Sequence, residues 1–120
     1  MRLNLINPTI LPQFRYATGI RKVTINVPTD ISINGSNFVY NNSTIEEVVF
    51  TDGIKFTDMN YFATNCKVLK RVLGRVDMTE VTNTSIYNGC TALEEIYFIP
   101  NTIFINFTIK HSSLLTDASI

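Results

Sequence analysis

A short frame of residues that recurs at a fixed interval constrains the fold of this chain more than any other feature. The frame consists of an apolar anchor, two polar residues and a second apolar residue. Its later anchors, Ile45, Leu69 and Leu93, follow one another at intervals of 24 residues. The first anchor, Ile20, lies 25 residues before Ile45. Such a period is typical of stacked-repeat proteins, in which no coil can bury its apolar side alone and neighbouring coils create the core.

Further positions follow the same interval. A large apolar residue stands seven residues before each of three anchors: Phe38, Phe62 and Ile86. Each coil is therefore predicted to hold a strand at its anchor, a second extended or turn segment, and a return through the Phe or Ile. Residues 3–5 alternate like a strand before Asn7-Pro8 ends it, which predicts a capping coil over residues 1–16 and repeats over 17–104 of one domain, 1–120.

Two charged residues follow each anchor, and their sign alternates from coil to coil: Arg21-Lys22, Glu46-Glu47, Lys70-Arg71 and Glu94-Glu95. Parallel stacking places equivalent residues about 4.8 Å apart, so each basic doublet would face an acidic one. A slip by one coil would oppose like charges. Because an exposed ion pair contributes only about 0–1 kcal/mol, the ladder is predicted to fix register more than stability. The simpler alternative, that charged residues merely occupy turns, does not explain the alternation.

Composition limits the functional classes. The chain has 120 residues with ten basic and ten acidic side chains, so its formal charge is zero and no basic patch indicates nucleic-acid binding. The N-terminal apolar residues are interrupted by Asn and Pro, which predicts no signal peptide. No apolar run approaches the roughly 18 residues of a spanning helix, so no membrane insertion is expected.

The frame resembles the leucine-rich repeats of the BspA-like type, which read as a Phe, a short Asn/Gly-Cys turn, then Leu, two polar residues, Ile and a strand running to a Pro. The matching residues are Phe62, Asn65-Cys66, Leu69, Lys70-Arg71 and Val72, and then Ile86, Asn88-Gly89-Cys90, Leu93, Glu94-Glu95, Ile96 and Pro100. The match covers residues 38–100 well and 14–37 more loosely. It implies a right-handed, mainly β solenoid of four to five coils with a parallel sheet on one side.

The resemblance also implies a ladder of inward-pointing turn residues, here Ala17, Asn42, Cys66 and Cys90, with Asn42 and Ala17 departing from the family's Cys. A disulfide between Cys66 and Cys90 is conceivable at a Cα separation of about 5 Å. In-register neighbours point the same way, however, which favours buried free thiols.

The end of the sequence, residues 105–120, resembles the start of the helical cap that closes such arrays. A helix opened by Thr116 or Asp117 would need another turn to bury anything. The cap is therefore expected to be incomplete, with the chain a fragment or completed by an assembly partner at this end.

Catalytic and metal-binding constellations are not evident in the sequence. Two cysteines and the distant His111 are too few ligands for a metal, and His111 has no acidic neighbour that would support nucleophilic catalysis. Paired carboxylates such as Glu94-Glu95 are explained by their basic partners, and the glycines stand singly. We therefore expect no enzyme, no metal and no cofactor.

The outward positions of the strands offer a binding hypothesis. If Val48, Val72 and Ile96 point into the core, the next residues point outward. This outward row consists of Thr24, Val49, Leu73 and Tyr97, flanked two residues further on by Asn26, Thr51, Arg75 and Ile99. A contiguous exposed apolar stripe marks a contact site; the alternative is that these residues only stabilise the sheet through neighbour contacts.

The resemblance places such repeats on microbial cell surfaces and in phage or prophage structural proteins. It implies a non-catalytic recognition or adhesion module that binds a protein or a surface glycan, at a virion or cell surface as part of a larger assembly. The alternative is a structural spacer whose ends stack on partner chains.

Overall fold

The computed structural model describes residues 1–83 and 85–99, and this part of the chain is a parallel β-solenoid of about four turns. The described residues contain no helix, and hence none that could cross a bilayer. The predicted repeat solenoid is confirmed. Its strands are β1 (Arg2–Asn4), β2 (Lys22–Asn26), β3 (Ser32–Asn34), β4 (Glu47–Phe50), β5 (Lys55–Asp58), β6 (Arg71–Asp77) and β7 (Glu95–Ile99).

The anchor strands form the main row of the sheet, in the order β1, β2, β4, β6 and β7, and every pair is parallel. Val23 pairs with Val48, Val48 with Val72, and Val72 with Ile96. These four side chains are buried. The sequence interval is thus the register of the sheet, and the second apolar residue of the frame faces the core in every coil.

A second row of extended segments follows the anchor strands. Strand β3 pairs with β5, Ile33 lies beside Phe56, and Lys55 pairs with Asp77 at the end of β6. The predicted second extended segment is therefore present in these coils. Strand β6 contributes to both rows because it continues around the corner of the coil.

The core between these rows is a stack of aromatic rings. Phe38 lies 5.5 Å from Phe14 and 5.3 Å from Phe62, measured between ring centroids. Phe50 and Phe56 join the same cluster, and Phe38, Phe56 and Phe62 have no exposed surface. Phe38 and Phe62, seven positions before their anchors, are thus side chains through which one coil packs on the next.

The corner of β6 depends on Gly74. Its φ is +91°, a left-handed conformation that favours glycine, and a Cβ there would overlap the carbonyl oxygen of Phe50. The Arg75 amide donates to Asp52 Oδ1 at 2.7 Å, and the Gly53 amide donates to the Arg75 carbonyl at 2.7 Å. Close approach of two backbones therefore fixes this bend.

We predict that Gly74→Ala destabilises the fold much more than Gly19→Ala. Gly19 also has a positive φ, +79°, but nothing lies within 4 Å of an added Cβ. The control should therefore lose only the conformational term of about 1–2 kcal/mol, and Gly74→Ala at least about 2 kcal/mol more because of the clash with Phe50. Urea denaturation followed by circular dichroism measures both free energies of unfolding; equal losses would contradict the close approach.

Candidate functional site

The charged doublets form an ion-pair ladder across the starts of the strands, as the alternation predicts. In the inner row, Lys22 Nζ lies 3.2 Å from Glu47 Oε2, and Arg71 Nε lies 3.1 Å from Glu47 Oε1. The outer row pairs Glu46 with Arg21 at 3.9 Å and with Lys70 at 3.4 Å. Each acidic residue of the second coil thus bridges basic residues of the coils on both sides.

Glu47 is the most enclosed member of the ladder, with 19% of its side chain exposed. The hydrogen bond from Arg71 lowers the pKa of the Glu47 carboxyl, with a further contribution from Lys22 and against the opposing effect of burial. The same hydrogen bond raises the pKa of Arg71. The carboxylate is therefore held ionised between two cations, and this arrangement suits a structural role.

The turn residues that were predicted to point inward occupy equivalent backbone positions in four successive turns. The amides of Ala17, Asn42, Cys66 and Cys90 each donate to the carbonyl three residues earlier, at 2.8–3.2 Å. Asn42 and both cysteines are buried, whereas Ala17 is half-buried. The structure therefore brings these residues together as one column along the solenoid.

Asn42 connects two coils through its side-chain amide. Its Nδ2 donates to the carbonyls of Phe14 and Ala17 at 2.7 and 2.9 Å, and its Oδ1 accepts from the amides of Thr44 and Ile45 at 2.9 and 2.8 Å. Four backbone groups, two of them in fully buried hydrogen bonds and two in partly buried ones, are thereby satisfied.

The cysteines make the corresponding contact with a single donor. Cys66 Sγ donates to the Val39 carbonyl at 2.8 Å, and Cys90 Sγ donates to the Ala63 carbonyl at 3.0 Å. Both are buried free thiols. Burial raises the pKa of the Cys66 thiol to about 12 and raises that of Cys90 as well. Protonated thiols are the form that can donate these bonds.

The outward row lies on the exposed side of the main sheet. Thr24 pairs with Val49 and Val49 with Leu73, so three of its members are in register. All three are partly exposed, and Tyr97 is 38% exposed. The Tyr97 hydroxyl donates to Glu95, which raises the pKa of Tyr97. An apolar stripe thus crosses β4, β6 and β7.

The flanking row departs from the expected register. Ile99 was expected beside Arg75, but it pairs with Asp77, because β6 holds two more residues than β7 between the pairs Val72–Ile96 and Val76–Phe98. The bend at Gly74 accommodates the extra residues. Arg75 is exposed and lies instead beside Asp52, to which its amide donates.

Two open depressions flank these features. One, of about 350 Å³, is lined by Asp52, Gly74, Arg75 and Tyr97 and borders the outward row. The other, of about 570 Å³, runs along the turns beside the ion-pair ladder and was not predicted from the sequence. Its lining residues are Arg21, Ser43, Thr44, Glu46, Lys67, Val68, Lys70 and Ala92. The sequence feature that could have indicated this depression is a small residue, Ser43 or Ala92, three positions before an acidic residue of a doublet.

An exposed cluster of Arg15, Tyr16, Tyr40 and Tyr61 was also missed. The signal was the recurrence of a tyrosine after 24 residues, at Tyr16 and Tyr40. Within the described ranges, no group of three or more His, Cys, Asp or Glu side chains could hold a metal ion. His111 and residues 105–120, for which a cap and an assembly partner were predicted, lie outside those ranges.

We predict that Asn42→Ala lowers the free energy of unfolding by about 3 kcal/mol, because buried backbone groups of two coils lose their partners. Asn42→Cys should lose about half as much, since Cys66 and Cys90 show that a thiol can serve at this position. Chemical denaturation of both variants measures this difference. Equal losses in the two variants would contradict the inference that Asn42, Cys66 and Cys90 serve the same role in the column.

A second prediction concerns acid stability. The folded-state pKa of Glu47 is lowered, so its contribution is present above the ordinary pKa and is lost as pH falls through the lowered value. Denaturation midpoints of the native protein should therefore fall more steeply between about pH 5 and about pH 3 than those of Glu47→Gln. Arg71→Gln should reduce this pH dependence to a similar extent, and combining it with Glu47→Gln should reduce it little further. If the effects of the two substitutions were additive, Arg71 would not be the cause of the lowered pKa of Glu47.

Comparison with known proteins gives no match: no protein-family model, no curated protein and no solved structure matches this chain. Membership of the BspA-like leucine-rich repeats therefore stays a prediction from the residues, and function has to be inferred from the geometry of the chain itself.

Proposed function

We propose that this chain is a non-catalytic recognition or adhesion module that binds a protein or a surface glycan through the outward row of its main sheet. The resemblance to BspA-like repeats adds the setting, a virion attachment structure or a microbial surface. The observation that carries the proposal is the in-register set Thr24, Val49 and Leu73, continued by Tyr97 on the next strand.

The composition of this surface suits recognition. Val49 and Leu73 supply apolar contact area, and Tyr97 combines an apolar ring with a hydroxyl. Arg75 and Asp52 stand at the rim of the adjoining depression and offer charged groups of both signs. An apolar centre with a polar rim is the usual anatomy of a protein interface.

The perturbed titratable groups support a non-catalytic role. Tyr87 is buried, and burial raises its pKa as it does those of Cys66 and Cys90. Glu47 and Arg71 are shifted by their mutual hydrogen bond within the ladder. None of these five residues lines either depression. Tyr97 does line the smaller one, and its raised pKa comes first from its hydrogen bond to the neighbouring Glu95. The shifts therefore follow from folding and from local pairing.

The alternative, a structural spacer, is favoured by one observation: within the described part of the chain, β1 pairs only with β2 and so leaves an edge free. The edge has three residues, and two of them, Arg2 and Asn4, are exposed polar side chains. Short polar edges are how proteins avoid pairing with further strands. The free edge thus makes stacking possible, but its length and polarity make it a poor stacking surface.

The test is a triple variant, Val49→Thr, Leu73→Thr and Tyr97→Thr, which removes the apolar stripe but keeps residues of high β propensity. Labelled protein is applied to a glycan array and to a panel of microbial cells. We expect binding to fall by at least about tenfold, a loss of 1.4 kcal/mol, with the circular dichroism spectrum unchanged.

The matched control is Thr57→Ser with Ser32→Ala, two exposed positions in the second row, which should bind as the native protein does. Sedimentation analysis separates the two functions. A folded triple variant that binds normally would refute the recognition face, and self-association at micromolar concentration that the triple substitution leaves intact would favour the spacer.

A further inference from the structure

The exposed cluster of Arg15, Tyr16, Tyr40 and Tyr61 is built from three successive coils. The Arg15 guanidinium carbon lies 4.7 Å from the ring centroid of Tyr40 and 5.2 Å from that of Tyr16. The rings of Tyr40 and Tyr61 are 5.3 Å apart at an angle of 48°. Tyr16 is 83% exposed and Tyr61 41% exposed. Four large side chains thus form one continuous aromatic and cationic surface.

The cluster stands on a fixed backbone. Asn42 binds the carbonyls of Phe14 and Ala17, which bracket Arg15 and Tyr16, and the Phe14 amide donates to the Phe38 carbonyl at 2.7 Å. Segment 14–17 is therefore held by the neighbouring coil on both sides of the arginine. A site on such a support keeps its geometry without a ligand.

Arg15 is a cation without an acidic partner. Among the described residues no carboxylate lies within 4.0 Å of it, although six ion pairs occur elsewhere in that part of the chain. Its Nε is buried and has no hydrogen-bond partner. Two tyrosine rings cover the guanidinium, while its in-plane N–H groups are the ones that pair with carboxylates. An anionic ligand would therefore contact the guanidinium along these N–H groups and not through its faces.

Tyr61 is held in a conformation that a tyrosine rarely adopts. Its φ is +55°, in the left-handed region, where Asn37 occupies the equivalent position of the preceding coil with φ +60°. The two positions are equivalent because each precedes a core phenylalanine and donates its amide to the next coil. The Asn37 amide donates to the Asn60 carbonyl, and the Tyr61 amide donates to the Ser85 carbonyl. Asparagine tolerates this conformation and a bulky residue does not. Backbone strain of this kind accumulates at functional sites.

We propose that this cluster is a binding site for an acidic saccharide, with the carboxylate of a uronic acid on Arg15 and neighbouring sugar rings of the same oligomer against Tyr16 and Tyr61. The C–H faces of a pyranose stack on exposed tyrosine rings, and tyrosine hydroxyls bond sugar hydroxyls. Nucleic acid fits less well, because its binding depends on several phosphate contacts and the cluster offers one cation, whereas a single uronic acid needs only one. The site uses other residues than the outward row and goes beyond the function proposed for it.

The probes are short oligomers of galacturonic acid and the same oligomers with their carboxyl groups reduced. The chain contains five tyrosines and no tryptophan, so tyrosine fluorescence reports binding at a cluster that holds three of the five. Calorimetry gives the affinity. We expect the acidic oligomers to bind and the reduced ones to bind at least about tenfold more weakly.

Tyr61→Asn is the decisive variant, because it restores the residue that fits the backbone while removing the ring. We expect at least about tenfold weaker binding of the acidic oligomer together with a rise in melting temperature of about 4 °C. Arg15→Gln should abolish the preference for acidic over reduced oligomers. The control Arg2→Gln, at an exposed arginine outside both the cluster and the outward row, should leave saccharide binding unchanged.

Several results would overturn the proposal. These are no binding of the acidic oligomer, equal binding of both oligomers, native affinity in Tyr61→Asn, or stronger binding of single-stranded DNA than of the acidic oligomer. The triple variant of the outward row should keep saccharide binding, so failure of the recognition face and failure of this site are distinguishable.

Discussion

The hydrogen bonds that join each turn to the coil before it are the constraint on which the rest of the structure depends. The interior of the solenoid is filled by apolar side chains, so every turn carbonyl that faces inward needs a donor from the chain itself. Asn42, Cys66 and Cys90 supply that donor through side chains of similar reach. With these bonds made, successive coils are fixed at one spacing, and the aromatic rings of Phe14, Phe38 and Phe62 are brought to 5.3–5.5 Å. Apolar packing alone would not select this spacing.

Register requires a second contribution, because parallel coils with similar apolar positions could pair in more than one way. The alternating doublets distinguish these arrangements. Glu47 contacts cations of both neighbouring coils, and a slip by one coil would replace each attraction by a repulsion. Such pairs add little to the free energy of folding when exposed. Their effect is on the difference in free energy between the native register and alternative registers, and this difference determines specificity.

The period, the doublets and the inward residues could be predicted from the sequence, because each depends on a position that repeats. Val23, Val48, Val72 and Ile96 lie in register for this reason. The two-residue offset that separates Ile99 from Arg75 occurs in a single coil and depends on the approach of Gly74 to Phe50, which the interval does not encode. The outward row was found by alternation along the strands. The cluster of Arg15, Tyr16, Tyr40 and Tyr61 was missed, because only Tyr16 and Tyr40 follow the interval, and Arg15 and Tyr61 join them only across coils.

Repetition therefore accounts for the fold, and departures from repetition are where function is to be sought. An inward position has little freedom, since a change there disturbs two neighbouring coils at once. An exposed turn position can vary in one coil without altering the stack. Tyr61 stands where its neighbouring coil has Asn37, and it holds the same left-handed backbone at a conformational cost that Asn37 avoids. Tyr61 adopts a backbone conformation that is unfavourable for tyrosine, and because it is 41% exposed it gains little from core packing. Its ring is better explained by what it contacts outside the chain than by what it contributes within it.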